Sequence, residues 1–523
     1  MRINRNSHTK NALLAAGSGI GTQLLGNLFS FIYRTVFLTV LSKEYLGISG
    51  VFTNVLQIFS LTELGLGQAI VFRLYEPFQK GDVRRSAALI KFFRTAYRMV
   101  FLAVLVLGAA LAPFLRYLVK ASEIPADVDL YLIYALFVAD NACTYLFSYK
   151  RCILNVNQEM YRDNAVTALT NILVSLARIV ALLLTKRFEA VVVAGTLVTL
   201  AVNAVVCRRI TRENEEVFAC PDVLNKQDRQ VLVRDSLAVF LHKIGGTVVT
   251  STDNLILSAF VSLSAVGIYS NYTLLVGTLG VIVNKCFYTY EATIANCLGS
   301  WSREQIGGLF DKLSFANAWI SAVFTVCLYA LINPFITLWL GSSFVFSLPV
   351  VIVICTQFYI AATRNARTAF IDASGLFVKD RVRPLIEAAI NLLVSIILVK
   401  RIGIAGVFVG TCVSQLLTCY WREFYLLKQA QILQHPGKCL RDWAVWLLLT
   451  LGLCWSAAKL WEVLPLSWLT WLGTALLLFL TVNAFFALLF RKRREYRELK
   501  ELALSYADRI KAKLAGKQKE ERL

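Results

Sequence analysis

Apolar residues run in long blocks along the chain, broken by short polar intervals, and neither a period of two nor a narrow amphipathic stripe organises them. A helix that rises ~1.5 Å per residue needs ~20 apolar residues to cross ~30 Å of hydrocarbon. Windows near that length lie at 14–40, 46–72, 99–119, 129–149, 164–185, 188–207, 235–261, 265–296, 313–333, 345–363, 384–399, 402–421, 442–461 and 466–490. The pattern predicts an all-α polytopic membrane protein with about 14 transmembrane helices.

The windows also resemble one another in order. "YLGISGVFT" (Tyr45–Thr53) matches "AVGIYSNYT" (Ala265–Thr273) at an offset of 220, and "NILVSL" (Asn171–Leu176) matches "NLLVSI" (Asn391–Ile396) at the same offset. "AGTLV" (Ala194–Val198) matches "VGTCV" (Val409–Val413) at 215. Spans 1–6 and 7–12 therefore read as two six-helix lobes followed by a C-terminal helix pair. An even number of crossings returns the chain to its starting side, so the repeats are parallel, related by an axis along the membrane normal. The expected organisation is an N-lobe at 1–208, a cytoplasmic inter-lobe linker at 209–234, a C-lobe at 235–424, the last two spans at 425–490 and a basic cytoplasmic tail at 491–523.

Composition removes the soluble classes. Of 523 residues, 57% are hydrophobic and only 17% charged, with a mean hydropathy of +0.61; this apolar excess is bilayer-facing surface. The net charge of +21 would suggest nucleic acid in a soluble chain, but its placement says otherwise. With the N-terminus inside, 42 of the 54 Lys and Arg fall on the cytoplasmic side and 8 outside, the positive-inside bias of a multi-pass cell-membrane protein with both termini cytoplasmic. The basicity then faces anionic lipid, and no nucleic acid is implied. The opening "MRINRNSHTKN" is a positive flank without a small-residue cleavage site, so it reads as leading into an uncleaved first span. In the tail, Leu499, Leu502, Tyr506, Ile510 and Leu514 keep near-helical spacing among basic residues, as in an amphipathic helix on the inner leaflet.

Cofactor and catalytic chemistry leave little trace. Twelve cysteines are scattered without C-x-x-C pairs, and the three histidines (His8, His242, His435) are dispersed, so neither a metal site nor a cofactor is expected. "GSGIG" (Gly17–Gly21) and "ELGLGQ" (Glu63–Gln68) lie in spans with no strand before them, which suits helix packing better than a phosphate loop. Short outer loops disfavour a membrane glycosyltransferase or polymerase, and the expectation is a carrier, not an enzyme.

Charges within the spans carry the functional signal, because an ionised group near the bilayer centre costs ~2.5–3.5 kcal/mol on insertion scales and usually faces an interior cavity. Arg34 in span 1 and Asp253 in span 7 lie ~9–13 Å below the outer surface, and under the offset Arg34 aligns with Asn254, the neighbour of Asp253. Glu63 in span 2 and Lys285 in span 8 lie deeper, and Glu63 aligns with Val283, two positions from Lys285. Each set offers an acid and a base on equivalent helices, apt for contacts that form alternately as a gate. Permanent pairing within one lobe, or snorkelling, is the alternative. Arg178 in span 5 and Lys243 in span 7 have no acid matched in depth, so surplus cations in a cavity would suit a phosphate or pyrophosphate headgroup; for Lys243 a snorkel toward the cytoplasm competes. Asp140 in span 4 could serve as a proton or cation site.

The stretch "RTVFLTVLSKEYLGISGVFTNVLQIFSLTELGLGQAIVFRLYEP" (Arg34–Pro77) resembles the opening of bacterial polysaccharide flippases of the multidrug/oligosaccharidyl-lipid/polysaccharide exporter superfamily. The likeness lies in an Arg in span 1, then Tyr-Leu-Gly-Ile, Glu-Leu-Gly-x-Gly-x-Ala-Ile and Leu-Tyr-x-Pro, and the six-plus-six-plus-two architecture agrees with it. The resemblance implies a carrier that moves undecaprenyl-pyrophosphate-linked oligosaccharide units from inner to outer leaflet for capsule, O-antigen or exopolysaccharide assembly. It implies a cationic central cavity, which Arg34 matches best, and a polysaccharide polymerase and other assembly proteins as possible partners. The alternatives are a drug or cation antiporter of the same superfamily, which needs an acidic and aromatic cavity, and a lipid II (peptidoglycan-precursor) flippase.

Overall fold

A hydrocarbon environment offers backbone groups no partner, so each crossing must close its hydrogen bonds within itself. The computed structural model describes residues 8–60, 66–157, 159–288, 290–376, 382–433, 436–462, 464–501 and 504–505, and among these every regular element is helical. Each of the fourteen windows coincides with helix over most of its described length. The first half contains α1 (His8–Val40), α2 (Lys43–Phe59), α3 (Leu66–Lys80), α4 (Val83–Leu111), α5 (Leu130–Val156), α6 (Met160–Thr185) and α7 (Phe188–Glu213). It is followed by α8 (Lys226–Ile256), α9 (Leu263–Tyr288), α10 (Glu291–Ser300), α11 (Arg303–Leu340), α12 (Leu348–Ala362) and α13 (Asn365–Ala373). The chain then continues through α14 (Arg383–Ile402), α15 (Ile404–Gln415), α16 (Trp421–Gln429), α17 (Pro436–Ala458) and α18 (Trp468–Phe490). The second window is shared by α2 and α3. Nine helical stretches among the described residues are long and apolar enough to cross a membrane.

Polar caps set the starts. Asp82 accepts from the Arg85 N–H at the head of α4, Asp129 from Tyr131 and Leu132 at α5, and Asn225 from Asp228 at α8. Ser302 and Gln305 form a reciprocal capping box on α11, so first-turn donors without intrahelical partners are satisfied where the chain leaves the polar loops. Within α11, Pro334 removes one backbone donor. Beside it Asn333 donates to the Phe346 carbonyl at 3.1 Å and accepts from the Tyr272 hydroxyl at 2.6 Å.

Apolar residues divide between core and bilayer by helical phase. On α18, Thr474, Leu478, Val482, Phe486 and Phe490 recur every four residues and are buried, packed with Phe315 and Trp446. The other face of α18 exposes Leu469, Leu472, Leu476 and Leu480. On α6 only Leu182 is buried, while Leu169, Leu173, Leu176, Val180 and Leu183 lie exposed at steps of three and four. Such apolar stripes, at odds with water, suit lipid tails.

The chain forms two compact units: Met1–Asn271 with Arg381–Val407, and Tyr272–Asp380 with Phe408–Leu523. In the first, α6 packs on α1 and α7, α5 on α4 and α7, and α8 on α2, α3 and α14. Its core includes Ile70, Leu74, Phe93, Tyr97, Tyr145 and Ile153. In the second, α11 packs on α12, α17 and α18, and α13 on α10, α11 and α16. This partition differs from the repeat boundary, since α8 and α14 belong to the second repeat and to the first compact unit.

Candidate functional site

The site lies in the first compact unit, where α1, α2, α8 and the start of α9 meet. The segments matched at an offset of 220 pack on each other reciprocally. A methyl carbon added at Gly47 would sit 2.1 Å from the Leu263 carbonyl oxygen, and one added at Gly267 would sit 2.1 Å from the Lys43 carbonyl oxygen. Gly47 and Gly267 are repeat equivalents, as are Lys43 and Leu263. Only hydrogen at both Cα atoms lets the two backbones come this close. One turn further in, Gly50 faces Val266, whose Cγ1 would lie 3.0 Å from an added Cβ, and the Asn254 amide lies beyond at 3.9 Å.

The segment between α4 and α5 fastens this crossing. Lys120 Nζ donates to the Val261 carbonyl at 2.7 Å, the Glu123 carboxylate accepts from the Leu263 N–H, and Ser258 donates to the Leu118 carbonyl. Tyr45, on α2, donates its hydroxyl to Asp127. These contacts hold the α8–α9 turn at the end of the bundle that the charge bias predicts to be outer.

Beneath the glycine contact sits Arg34. Its Nη1 donates to Ser270 Oγ at 3.2 Å and to Asn271 Oδ1 at 3.1 Å. Asn271 is fully buried and, among the described residues, its Nδ2 has no acceptor and the buried Asn254 Oδ1 has no donor. A guanidinium carries five N–H donors, and the described hydrogen bonds use Nη1 alone. Among the described residues this is a cation met only by neutral groups, with an idle amide donor beside it.

Arg178 approaches the same stretch of α1 from α6. Its guanidinium carbon is 5.9 Å from the Tyr33 ring centroid, its Nε is buried without an acceptor, and Gly195 on α7 makes room, since a Cβ there would lie 2.4 Å from that Nε. Two of the three cations singled out in the sequence therefore share the Tyr33–Arg34 neighbourhood. The third, Lys243, lies on α8, and its side chain is outside what the structure describes. Asp253 is on α8 at 4% exposure, and among the described contacts it makes no ion pair with Arg34. Asp140 accepts from Thr196 Oγ1 at 2.7 Å between α5 and α7. Lys285 is exposed on α9, and Glu63, its expected partner, lies outside the described residues. So does the tail, apart from 491–501 and 504–505.

Sequence reasoning missed Ser270 and Asn271 as Arg34 partners. Their signal was the polar "SNY" (Ser270–Tyr272) inside an apolar window, already part of the repeat match and left without a role. It also missed Gly47 and Gly267 as a contact, although the two align at the offset of 220.

A family model described as "Polysaccharide biosynthesis protein" matches residues 15–289, just over half of the chain. The chain belongs to that family. No curated protein sequence matches it significantly. Among solved structures, this polysaccharide biosynthesis protein is similar to the lipid II flippase MurJ in an inward closed conformation, with a TM-score of 0.63 at 13% identity, covering 92% of this chain and 99% of that one. It is also similar to an inward-facing multidrug resistance MATE family transporter of the MOP superfamily, with a TM-score of 0.61 at 13% identity, covering 79% and 98%. The Vibrio cholerae MATE transporter VcmN follows with a TM-score of 0.53 at 13% identity, covering 81% and 98%. At these identities the likeness is one of fold. This multi-pass membrane protein of the polysaccharide biosynthesis family thus shares its fold with MurJ and with MATE transporters.

Proposed function

We propose that this family member flips undecaprenyl-pyrophosphate-linked oligosaccharide units from the inner to the outer leaflet of the plasma membrane by alternating access, for capsule, O-antigen or exopolysaccharide assembly. The carrying observation is Arg34, a guanidinium within span 1 whose described partners, Ser270 and Asn271, are both neutral. An unpaired cation in low dielectric attracts a doubly acidic headgroup strongly, and the idle Asn271 amide supplies a further donor. Arg178, with a buried Nε lacking an acceptor, adds a second cation along the same helix. The sugar and pyrophosphate would cross in this polar interior while the polyprenyl tail stays in lipid. A drug-cation antiporter is disfavoured, because like charge would meet like.

Closure at the outer side is assigned to the α2–α9 glycine crossing, with Glu63 and Lys285 as the inner contact that replaces it and Asp253 and Asp140 as the groups that couple the change to an ion. Both termini are placed in the cytoplasm. A second reading, lipid II as substrate, draws on the similarity to MurJ.

The test is reconstitution of the full chain in vesicles carrying a fluorescent undecaprenyl-pyrophosphate oligosaccharide, with arrival in the opposite leaflet read by a membrane-impermeant quencher. Wild type should move it, and Arg34→Ala should slow it by ~10-fold or more, the factor that one charge-assisted hydrogen bond of ~1.5–3 kcal/mol supplies. Movement of lipid II alone selects the second reading. If neither lipid moves while a cationic dye does, the proposal is wrong.

A further inference from the structure

The first compact unit also holds a groove of about 420 Å³ where α4 meets the inter-lobe linker and the head of α8. It shares no residue with the Arg34 site, and its size is within the ~300–1,000 Å³ of small-ligand sites. Small residues hollow it: Ala88, Ala96 and Ala103 recur on the face of α4 that lines the groove. The linker adds Val223 and Leu224, and α8 adds Val233. Lys91 Nζ donates to the Pro221 carbonyl at 3.0 Å and ties the linker to α4. Met99, Val223 and Val233 are more than half exposed, so the groove has an open apolar rim.

Its chemistry changes along its length. Lys91, Thr95 and Arg229 line the part that precedes the apolar windows, while Met99, Val100 and Ala103 line the part inside the window that begins at 99. The charge bias places the first part at the cytoplasmic headgroup level and the second in hydrocarbon. Lys91 to Ala103 covers ~18 Å of helix, enough for a ligand that is ionic at one end and apolar at the other. The sign of the ionic end follows from α4, which carries Arg84, Arg85, Lys91, Arg94 and Arg98 and no acid, at a helix N-terminus that is itself positive. Lys91, Arg94, Arg98 and Arg229 are exposed, and among the described residues none of them lies in an ion pair. Acids of the adjoining segments are placed elsewhere. Asp82 caps α4, Asp222 approaches Arg84 at 3.9 Å, and Asp228 lies in the first turn of α8; no acid lines the groove among the described residues.

We propose that this groove binds one anionic phospholipid of the inner leaflet, with its phosphate at Lys91 and Arg229 and an acyl chain along Met99, Val100 and Ala103. Ammonium and guanidinium donors suit a phosphodiester, whereas a zwitterionic headgroup would bring its own cation to a basic surface. The site does not depend on which lipid the protein flips.

Purified full-length chain in neutral detergent is titrated with phosphatidylglycerol or phosphatidylcholine, and the lipids retained per chain are counted by native mass spectrometry. Wild type should hold its first phosphatidylglycerol at least tenfold more tightly than phosphatidylcholine. Lys91→Gln with Arg229→Gln, both at exposed positions, should remove that preference and leave phosphatidylcholine unchanged. Ala103→Phe keeps every charge and fills the apolar end, and should weaken the first phosphatidylglycerol at least tenfold. Arg212→Gln, an exposed cation outside the groove, should leave it unchanged, and melting curves establish that each variant is folded. Equal retention of the two lipids by wild type overturns the proposal. So does a phosphatidylglycerol affinity undiminished in either folded groove variant, or lowered as much by Arg212→Gln.

Discussion

Gly267→Ala tests the closure reading at its narrowest point. The added methyl would start 2.1 Å from the Lys43 carbonyl oxygen, roughly 1 Å inside an ordinary carbon–oxygen contact. The obstacle is backbone, so no side chain can swing away, and α2 and α9 must part. Overpacking of this kind costs ~1–3 kcal/mol, which shifts a two-state equilibrium by roughly 5- to 150-fold away from the closed form. The assay places one cysteine at Ser270, beside Arg34, in a variant lacking the twelve native cysteines, and follows its labelling by a membrane-impermeant maleimide from outside. Labelling should accelerate by that factor in Gly267→Ala, and by a similar one in Gly47→Ala. The double variant should gain less than the product, because both methyls part the same two backbones. Gly277→Ala, with nothing within 4 Å of the added carbon, is the control. Unchanged labelling in a folded Gly267→Ala protein would refute the idea that this crossing seals the outer side.

Four further outcomes are expected. Glu123→Gln weakens the acceptor for the Leu263 N–H and should raise the same labelling ~2- to 10-fold, as loss of about 1 kcal/mol implies; an unaltered rate removes the α4–α5 segment from the closure. Reversing the proposed inner pair, Glu63→Lys with Lys285→Glu, should restore part of the transport that either change alone abolishes, and a double variant as inactive as the singles excludes the pairing. Gly195→Ala drives a methyl to within 2.4 Å of Arg178 Nε, so it should cut transport several-fold by displacing that cation, with expression and melting temperature moved by less than ~2 kcal/mol equivalents; normal transport would separate Arg178 from the substrate path. Outside the membrane, hydrogen bonds from Arg494 and Lys312 hold the Glu498 carboxyl below the usual range. A lowered folded-state value means its contribution is present above about pH 4.5 and fades as pH falls through that lowered value. At this partly exposed position it is worth at most a few tenths of a kcal/mol, so wild type and Glu498→Gln should differ slightly in melting temperature at pH 7 and converge near pH 3.

The architecture was legible because hydrocarbon imposes a length, and length survives in a single sequence. The fourteen windows fall on helices, and the offset of 220 was legible as a repeat, though not as the contact that Gly47 and Gly267 make. Partner choice was not legible. Alignment put Arg34 opposite Asn254, next to Asp253, but one residue along a helix turns a side chain by about 100°, and α1 reaches α9 at Ser270 and Asn271 instead. The cluster in which Glu423 pairs with both Arg364 and Arg367 escaped for another reason. These residues flank apolar windows and count as loop charges by composition, whereas helical structure runs past the windows through α13 and α16 and buries all but the edge of the cluster. The compact units likewise depend on crossings of α8 and α14 that no window length encodes.

The reciprocity of the Gly47–Gly267 contact reaches beyond gating. When residue i of one copy touches j of the other, and j touches i, the surface is self-complementary, the hallmark of a two-fold homodimer. Fusing two such subunits into a single chain removes the concentration dependence of their association, yet leaves the ancestral interface readable as matched glycines. On that view each half retains an adhesive face for its twin. A separately expressed 1–208 fragment should then pair with itself through Gly47, and a methyl there should leave it solitary.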